Sequence, residues 1–404
     1  MRRLALGFLF WIYAASAQPA GPAIFSEIGE ILRELGSMTG LKPPAKVASD
    51  TITKDRLKEF LDERLKEVVK PEEIRAEEIT LKMFGLAPAD FDLRRITVDL
   101  LTEQAAAFYD YRKKKLFLLE ASANGLQRPV LVHELAHALA DAHFDLEKYI
   151  FKKGKSDDGA LARQSVMEGQ ATWLMSEWVV RQMGASLRKA PEMAENMSRL
   201  SAGSGSMFPV FDSAPLYLKE SLMFPYTKGF VFQHAVIVKM GDEGFKEVFR
   251  RPPLSSQQIL HPQKYFDRVA PTEPKPPRVR IKGYKDLVSG VVGEFDHEVM
   301  LRQYAGGEGA AAAAGWRGAF FRIQEDRHDK SRHALLYTSE WESPDAAAKF
   351  FGLYRKVLEG KWKDMKVNRE SASEITGEGG GGFFRTWTEG SRVHSVEGLP
   401  NAGS

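Results

Sequence analysis

The residues in this chain best suited to do chemistry are two histidines four apart with a glutamate after the first, His133-Glu134-Leu135-Ala136-His137. On a helix, positions four apart lie one turn apart on one face, so both imidazoles can converge on one cation. Glu134 then projects beside them, where its carboxylate can take a proton from water. The pattern lies in an apolar stretch, after Val130-Leu131-Val132 and before Ala138-Leu139-Ala140. Two half-buried imidazoles and a carboxylate are costly there unless something pairs them, and a metal ion does.

The chain contains no cysteine, which excludes disulfides, cysteine catalysis and thiolate ligation, so ligands must come from His, Asp and Glu. A catalytic zinc takes three protein ligands and keeps one position for water. Two residues compete for the third place. His143 lies ten residues after His133, the metzincin spacing, but Ala140 stands where that pattern has a bending glycine. If the helix continues, six residues carry His143 through about 600°, leaving it about 240° from the metal face. Glu168, 31 residues after His137 in Val166-Met167-Glu168-Gly169-Gln170-Ala171-Thr172, meets no such obstacle, because a second helix packed on the first can present one carboxylate. That geometry favours Glu168. Tyr226 and His261, both after the second helix, are candidate donors to a developing oxyanion, and Asp141, one turn beyond His137, is a candidate for orienting an imidazole.

The runs His133 to Leu146 (HELAHALADAHFDL), Val166 to Thr172 (VMEGQAT) and Gln258 to Tyr265 (QILHPQKY) together resemble exported bacterial gluzincin-type zinc metallopeptidases, distant relatives of thermolysin. The resemblance covers about residues 104 to 265 and is specific at these motifs. It implies a zincin-like catalytic domain, Zn²⁺ held by His133, His137 and Glu168, and Glu134 as base. Thermolysin carries an Asp four residues after its glutamate ligand, where this chain has Thr172.

The elements that must position these residues read as follows. Apolar spacing predicts helices over 24–35, 53–69 and 71–84, a β-hairpin over 105–119, and two long helices, from Pro129 to Asp141 and from Gly159 to Met183, each buried on one face. Further helices are expected over 215–222, 226–240 and 244–250. Pro271, Pro274, Pro276 and Pro277 mark a linker that few contacts should cross. Beyond it, 278–404 alternates strands with a helix over 345–358, a small domain of unknown role with an antiparallel sheet. The fold class expected is α+β, with a zincin-like domain over 18–270. Gly377 to Gly382 formally matches a nucleotide-loop pattern, but Phe383 begins a strand and no helix follows, so a hairpin is expected.

Arg2 and Arg3, an apolar run from Leu4 to Ala14 and Ala15-Ser16-Ala17 read as a signal peptide over 1–17, hence an exported protein, periplasmic or secreted. No other stretch approaches eighteen apolar residues, so no membrane insertion is expected after its removal. Without the two arginines, 55 basic residues face 54 acidic ones, a balance of +1, which argues against nucleic acid as a partner. The function expected is hydrolysis of peptide bonds in a peptide or protein substrate. Two alternatives are a zinc hydrolase of another amide or ester, and a metal-containing binding protein acting through aromatic residues of the C-terminal domain, Trp316, Phe320, Phe321, Trp341 and Trp362.

Overall fold

The computed structural model describes residues 22–104, 106–120, 127–151, 156–202 and 208–400. The expected signal segment, 1–17, lies outside them. The first helices are α1 (Ile28–Thr39), α2 (Lys54–Val68), α3 (Pro71–Met83) and α4 (Leu93–Gln104). Local chemistry sets their ends: Thr53 caps α2 by accepting the Arg56 N–H, and Pro71 occupies the first turn of α3, where its missing N–H costs nothing. β1 (Ala48–Ile52) runs between α1 and α2, and β2 (Ala107–Asp110) and β3 (Lys115–Leu119) follow α4. The hairpin of β2 and β3 is as expected, but it gains β1 parallel to β3, giving the order β1-β3-β2. Ala48-Ser49-Asp50-Thr51 carries no apolar alternation; backbone pairing alone makes it a strand.

Next come α5 (Gln127–Phe144), α6 (Leu146–Phe151) and α7 (Asp157–Gln182). Ser156 caps α7 by accepting the Gly159 N–H, and Asp157 and Asp158 sit in its first turn, where negative charge suits the helix dipole. The expectation that the two long helices bury one face each is corrected. Val130 to Asp141 in α5 and Ser165 to Glu177 in α7 are buried on every side. They are central core helices, covered by α1 and the small sheet on one side and by later helices on the other.

Beyond them lie α8 (Pro191–Ala202), α9 (Pro209–Ser213), α10 (Leu216–Met240), α11 (Gly244–Arg250), α12 (Ser256–Leu260) and α13 (Pro262–Phe266). Two helices were expected over 215–240, and the structure has one, with Pro225 inside it. Pro225 has no N–H to offer the preceding turn, and packing along α7 outweighs that loss. The contact is unusually close. A Cβ on Gly169 of α7 would stand 2.2 Å from the backbone of Gly229 in α10, and one on Gly229 would stand 2.3 Å from the Ser165 carbonyl oxygen. Only glycine lets these backbones touch.

The C-terminal part is one antiparallel sheet of seven strands, ordered β4-β5-β6-β10-β9-β8-β7. The strands are β4 (Tyr284–Val291), β5 (Trp316–Asp326), β6 (His333–Trp341), β7 (Lys366–Glu370), β8 (Glu374–Gly379), β9 (Gly382–Glu389) and β10 (Arg392–Leu399), with α14 (Glu294–Ala312) and α15 (Pro344–Lys361). The glycine-rich run forms the β8–β9 hairpin, turned by Gly380 and Gly381, both at positive φ. The α+β class holds. No helix among the described residues is long and apolar enough to cross a membrane.

The proline-rich segment does not isolate this part. Thr272 N–H donates to the Arg317 carbonyl of β5, and one hydrophobic core runs from Ile24 to Val393. Phe84, at the end of α3, meets Phe321 and Tyr337 edge-on, both at 5.4 Å. The Gly85 carbonyl accepts from the Tyr304 hydroxyl of α14 at 2.6 Å, and Lys361 Nζ donates to the Met83 carbonyl at 3.0 Å. Proline composition reports stiffness of the segment; it carries no information about which apolar faces meet across it.

Two outcomes are expected. Phe84→Ala should cost about 3–5 kcal/mol, the usual range for a core phenylalanine, and both parts should still melt in one cooperative transition. Two separated calorimetric transitions would show independent domains. Gly229→Ala should destabilise by about 1–3 kcal/mol, because α7 and α10 must separate; an unchanged melting temperature would show that the contact is dispensable.

Candidate metal centre

His133, Glu134 and His137 share the buried middle of α5, and Glu168 faces them from the middle of α7. All four are at most 1% exposed. The two imidazoles point Nε2 to Nε2 at 3.0 Å. Glu168 Oε2 lies 3.4 Å from His133 Nε2 and 3.7 Å from His137 Nε2. Ligand atoms placed tetrahedrally at zinc's usual bond lengths stand about 3.3 Å apart, so this triangle has the size of one face of such a site.

The electrostatics agree. Burial holds His137 down to about 3, and burial, with repulsion from His137, holds His133 well below its ordinary value. Both rings are therefore neutral, with lone pairs available. Burial pushes Glu168 well above the usual carboxylate range; the nearby Glu134 adds to the rise, and the Tyr226 hydroxyl opposes it. Neither Glu168 oxygen makes a well-formed hydrogen bond. A buried carboxylate in that condition is destabilising unless a cation meets it. The donor set thus fits a divalent ion of the zinc type: two neutral imidazoles and one carboxylate within 4.8 Å of one another.

Glu134 is held differently. Its Oε2 accepts the Tyr109 N–H of β2 at 2.8 Å, while Oε1 has no hydrogen-bond partner and is fully buried. Burial raises its pKa well above normal, opposed by that single backbone donor. A carboxylate fixed by one oxygen, with a raised proton affinity and the other oxygen open, is built to carry a proton. β2 is an edge strand of the small sheet, and it serves the centre through that N–H.

The other residues singled out above divide. The structure brings Tyr226 to the cluster: its ring lies 6.2 Å from that of His133, inclined by 25°. His261 is placed elsewhere, with Nε2 2.6 Å from Glu294 Oε1 at the start of α14. Its ring joins the two parts of the chain and does not serve the centre. His143 Nε2 bonds the Lys42 carbonyl at 2.8 Å, as the helical rotation requires. Asp141 does not orient an imidazole. It accepts from the Tyr109 hydroxyl at 2.8 Å, from Lys114 Nζ at 2.7 Å and from the Leu146 N–H at 2.9 Å, tying the hairpin to the end of α5.

Sequence reasoning missed Tyr109, whose contribution is a backbone N–H and so leaves no trace in residue type. It also missed Gly169 and Gly229. Gly169 directly follows the carboxylate ligand candidate, and a glycine mid-helix is a signal of close packing that could have been read.

A family model described as a domain of unknown function (DUF8575) matches residues 280–404. That range takes in the whole seven-stranded sheet with α14 and α15, and none of the metal-centre residues. No curated protein matches the chain, and no solved structure matches it.

Proposed function

We propose that the protein is a zinc-dependent hydrolase of peptide bonds, working at His133, Glu134, His137 and Glu168. The observation that carries the reading is the convergence of two neutral imidazole Nε2 atoms on the buried Glu168 carboxylate, with the open oxygen of Glu134 beside them. His133 Nε2, His137 Nε2 and the Glu168 carboxylate would hold the ion, which when bound acidifies water and polarises a carbonyl. Glu134 Oε1 takes the proton of the attacking water and delivers it to the leaving amine nitrogen. The Tyr109 N–H keeps the carboxylate aimed during both transfers. Tyr226, beside the His133 ring, donates its hydroxyl proton as a hydrogen bond to the oxygen on which charge develops. Surrounding burial excludes bulk water, which strengthens each of these interactions.

The binding-protein alternative loses three of its five proposed surface residues. Trp316, Phe321 and Trp341 are at most 2% exposed: Trp341 stacks on Phe350 of α15, Trp316 lies against His297 of α14, and Phe321 meets Phe84 edge-on. Phe320 and Trp362, the other two aromatic residues of that reading, are only partly buried.

Amide hydrolysis by the purified protein, abolished by a chelator and restored by zinc, is the direct test; cleavage of esters but not amides would move the assignment to the ester alternative. Glu134→Ala should keep about one zinc per chain and lose at least about a hundredfold in kcat. Tyr226→Phe should keep zinc and lose about ten- to a hundredfold in kcat with little change in KM. Glu168→Ala should strip zinc on dialysis, since it removes the ligand that carries negative charge, while His143→Ala should leave occupancy near one. The reverse pattern, an empty His143→Ala and a full Glu168→Ala, refutes the ligand set.

A further inference from the structure

The proline-rich segment lies fixed across one face of the C-terminal sheet, the face turned away from α14 and α15. Leu336 of β6 and Val396 of β10 are paired and pack with Val279 and Ile281 of the segment, while the alternate residues Leu335, Tyr337 and Val393 belong to the main core. Backbone bonds pin the segment at both ends. The Thr272 N–H donates to the Arg317 carbonyl of β5, the Tyr284 N–H to the Ile281 carbonyl, and the Arg327 N–H of the β5–β6 hairpin to the Gly283 carbonyl. The segment is a strap with its side chains held in a set order.

Burial alternates along it. Pro274 and Ile281 are buried and Val279 is half-buried, while Lys275, Arg278, Arg280 and Lys282 are exposed. From Arg278 to Lys282 the period is two, as extended backbone gives, which sets successive cations about 7 Å apart on one side. No acidic residue occurs from Pro274 to Lys285. None of Lys275, Arg278, Arg280 and Lys282 has an ion pair or a side-chain hydrogen bond among the described residues. The arginines of the strands beneath are paired: Arg385 with Glu374 at 2.7 Å, Arg392 with Glu340 at 2.7 Å and Arg322 with Asp286 at 3.7 Å. Arg327 and Lys330, exposed on the β5–β6 hairpin, lengthen the row, and Asp326 and Asp329 beside them accept N–H groups of their own turn. The strap is thus a ridge of uncompensated positive charge on a chain with 57 basic and 54 acidic residues.

We propose that this ridge is a peripheral docking surface for an anionic lipid bilayer. A flat layer of lipid phosphates meets every cation of a straight ridge at once, and each contributes attraction within about 10 Å of the surface. The strap's apolar residues face the sheet and its outward positions are Lys and Arg, so adhesion needs no insertion. No aromatic ring of the strap stands between the cations to stack on a base, and the whole-chain balance is only +3, which sets nucleic acid behind lipid as the polyanion. Nothing in this depends on the metal centre.

The test is cosedimentation of the purified full chain with vesicles of phosphatidylcholine, alone or carrying about 30% phosphatidylglycerol. The expected result is binding to the anionic vesicles at about 0.05 M salt, none to the neutral ones, and loss at about 0.5 M, where screening cuts the reach of charge to about 4 Å. Each of Lys275→Gln, Arg278→Gln, Arg280→Gln and Lys282→Gln should weaken partitioning about fivefold, and the four together by about several hundredfold. All four positions are exposed, so the melting temperature should not move; the single variants carry the test should the fourfold one fold poorly. A matched variant, Lys54→Gln, Arg95→Gln, Lys349→Gln and Lys356→Gln, removes the same charge from exposed positions elsewhere and should weaken binding by less than about tenfold. Equal loss in the matched variant, equal binding to neutral and anionic vesicles, or no binding to anionic vesicles at low salt overturns the proposal. Tighter binding of a duplex oligonucleotide than of the vesicles, lost in the strap variants, assigns the ridge to nucleic acid and likewise overturns the lipid surface.

Discussion

Two imidazoles and two carboxylates are gathered where water does not reach, and the free energy of that burial governs the centre of the molecule. An isolated buried charge is costly by several kcal/mol, so each group avoids charge by a shifted proton affinity or meets a partner. His133 and His137 are neutral, Glu134 has one backbone donor, and Glu168 has no well-formed hydrogen bond. Such an arrangement is stable in a folded protein when a cation binds the two rings and the carboxylate together, because attraction to the cation offsets the desolvation. The same low polarity that makes the cluster costly when empty makes a bound ion's field effective.

Holding those groups in register demands rigid elements, and the core supplies them. α5 and α7 are buried on all sides, so neither can rotate to relieve the cluster. The glycine contact between α7 and α10 fixes the separation of the helix that bears Glu168 from the one that bears Tyr226. α10 is in turn gripped by the C-terminal part: Tyr217 bonds Asp296, and Phe224 packs on Phe295 with ring centroids 4.7 Å apart. The domain matched by the DUF8575 family model therefore buttresses the helix that carries Tyr226, through the first turn of α14. A second buried pair, Lys361 with Glu397, ties the end of α15 to β10 and, through Met83, to α3.

The spacing of His133, Glu134 and His137 was legible without a fold, because a helix converts four residues of sequence into one shared face. So were the hairpin before them, the start of α3 at Pro71, and the separation of His143 from the face that carries His133 and His137, all consequences of backbone periodicity or of a residue's own fixed geometry. What lies between distant elements was decided only by tertiary packing. β1 became a strand by pairing with β3, although its residues carry no pattern of their own. α10 ran through Pro225 because contact with α7 outweighs one missing hydrogen bond. Asp141 and His261 found partners in Lys114 and Glu294, and those partners depend on which loop or helix end arrives beside them. Likewise, the proline-rich segment marked a change of texture but not a separation, since apolar faces on both sides of it shared one core. Local chemistry acts over one turn or one residue pair and can be read along the chain. Which buried surfaces meet depends on complementarity across hundreds of residues, and that is settled only when the whole chain packs.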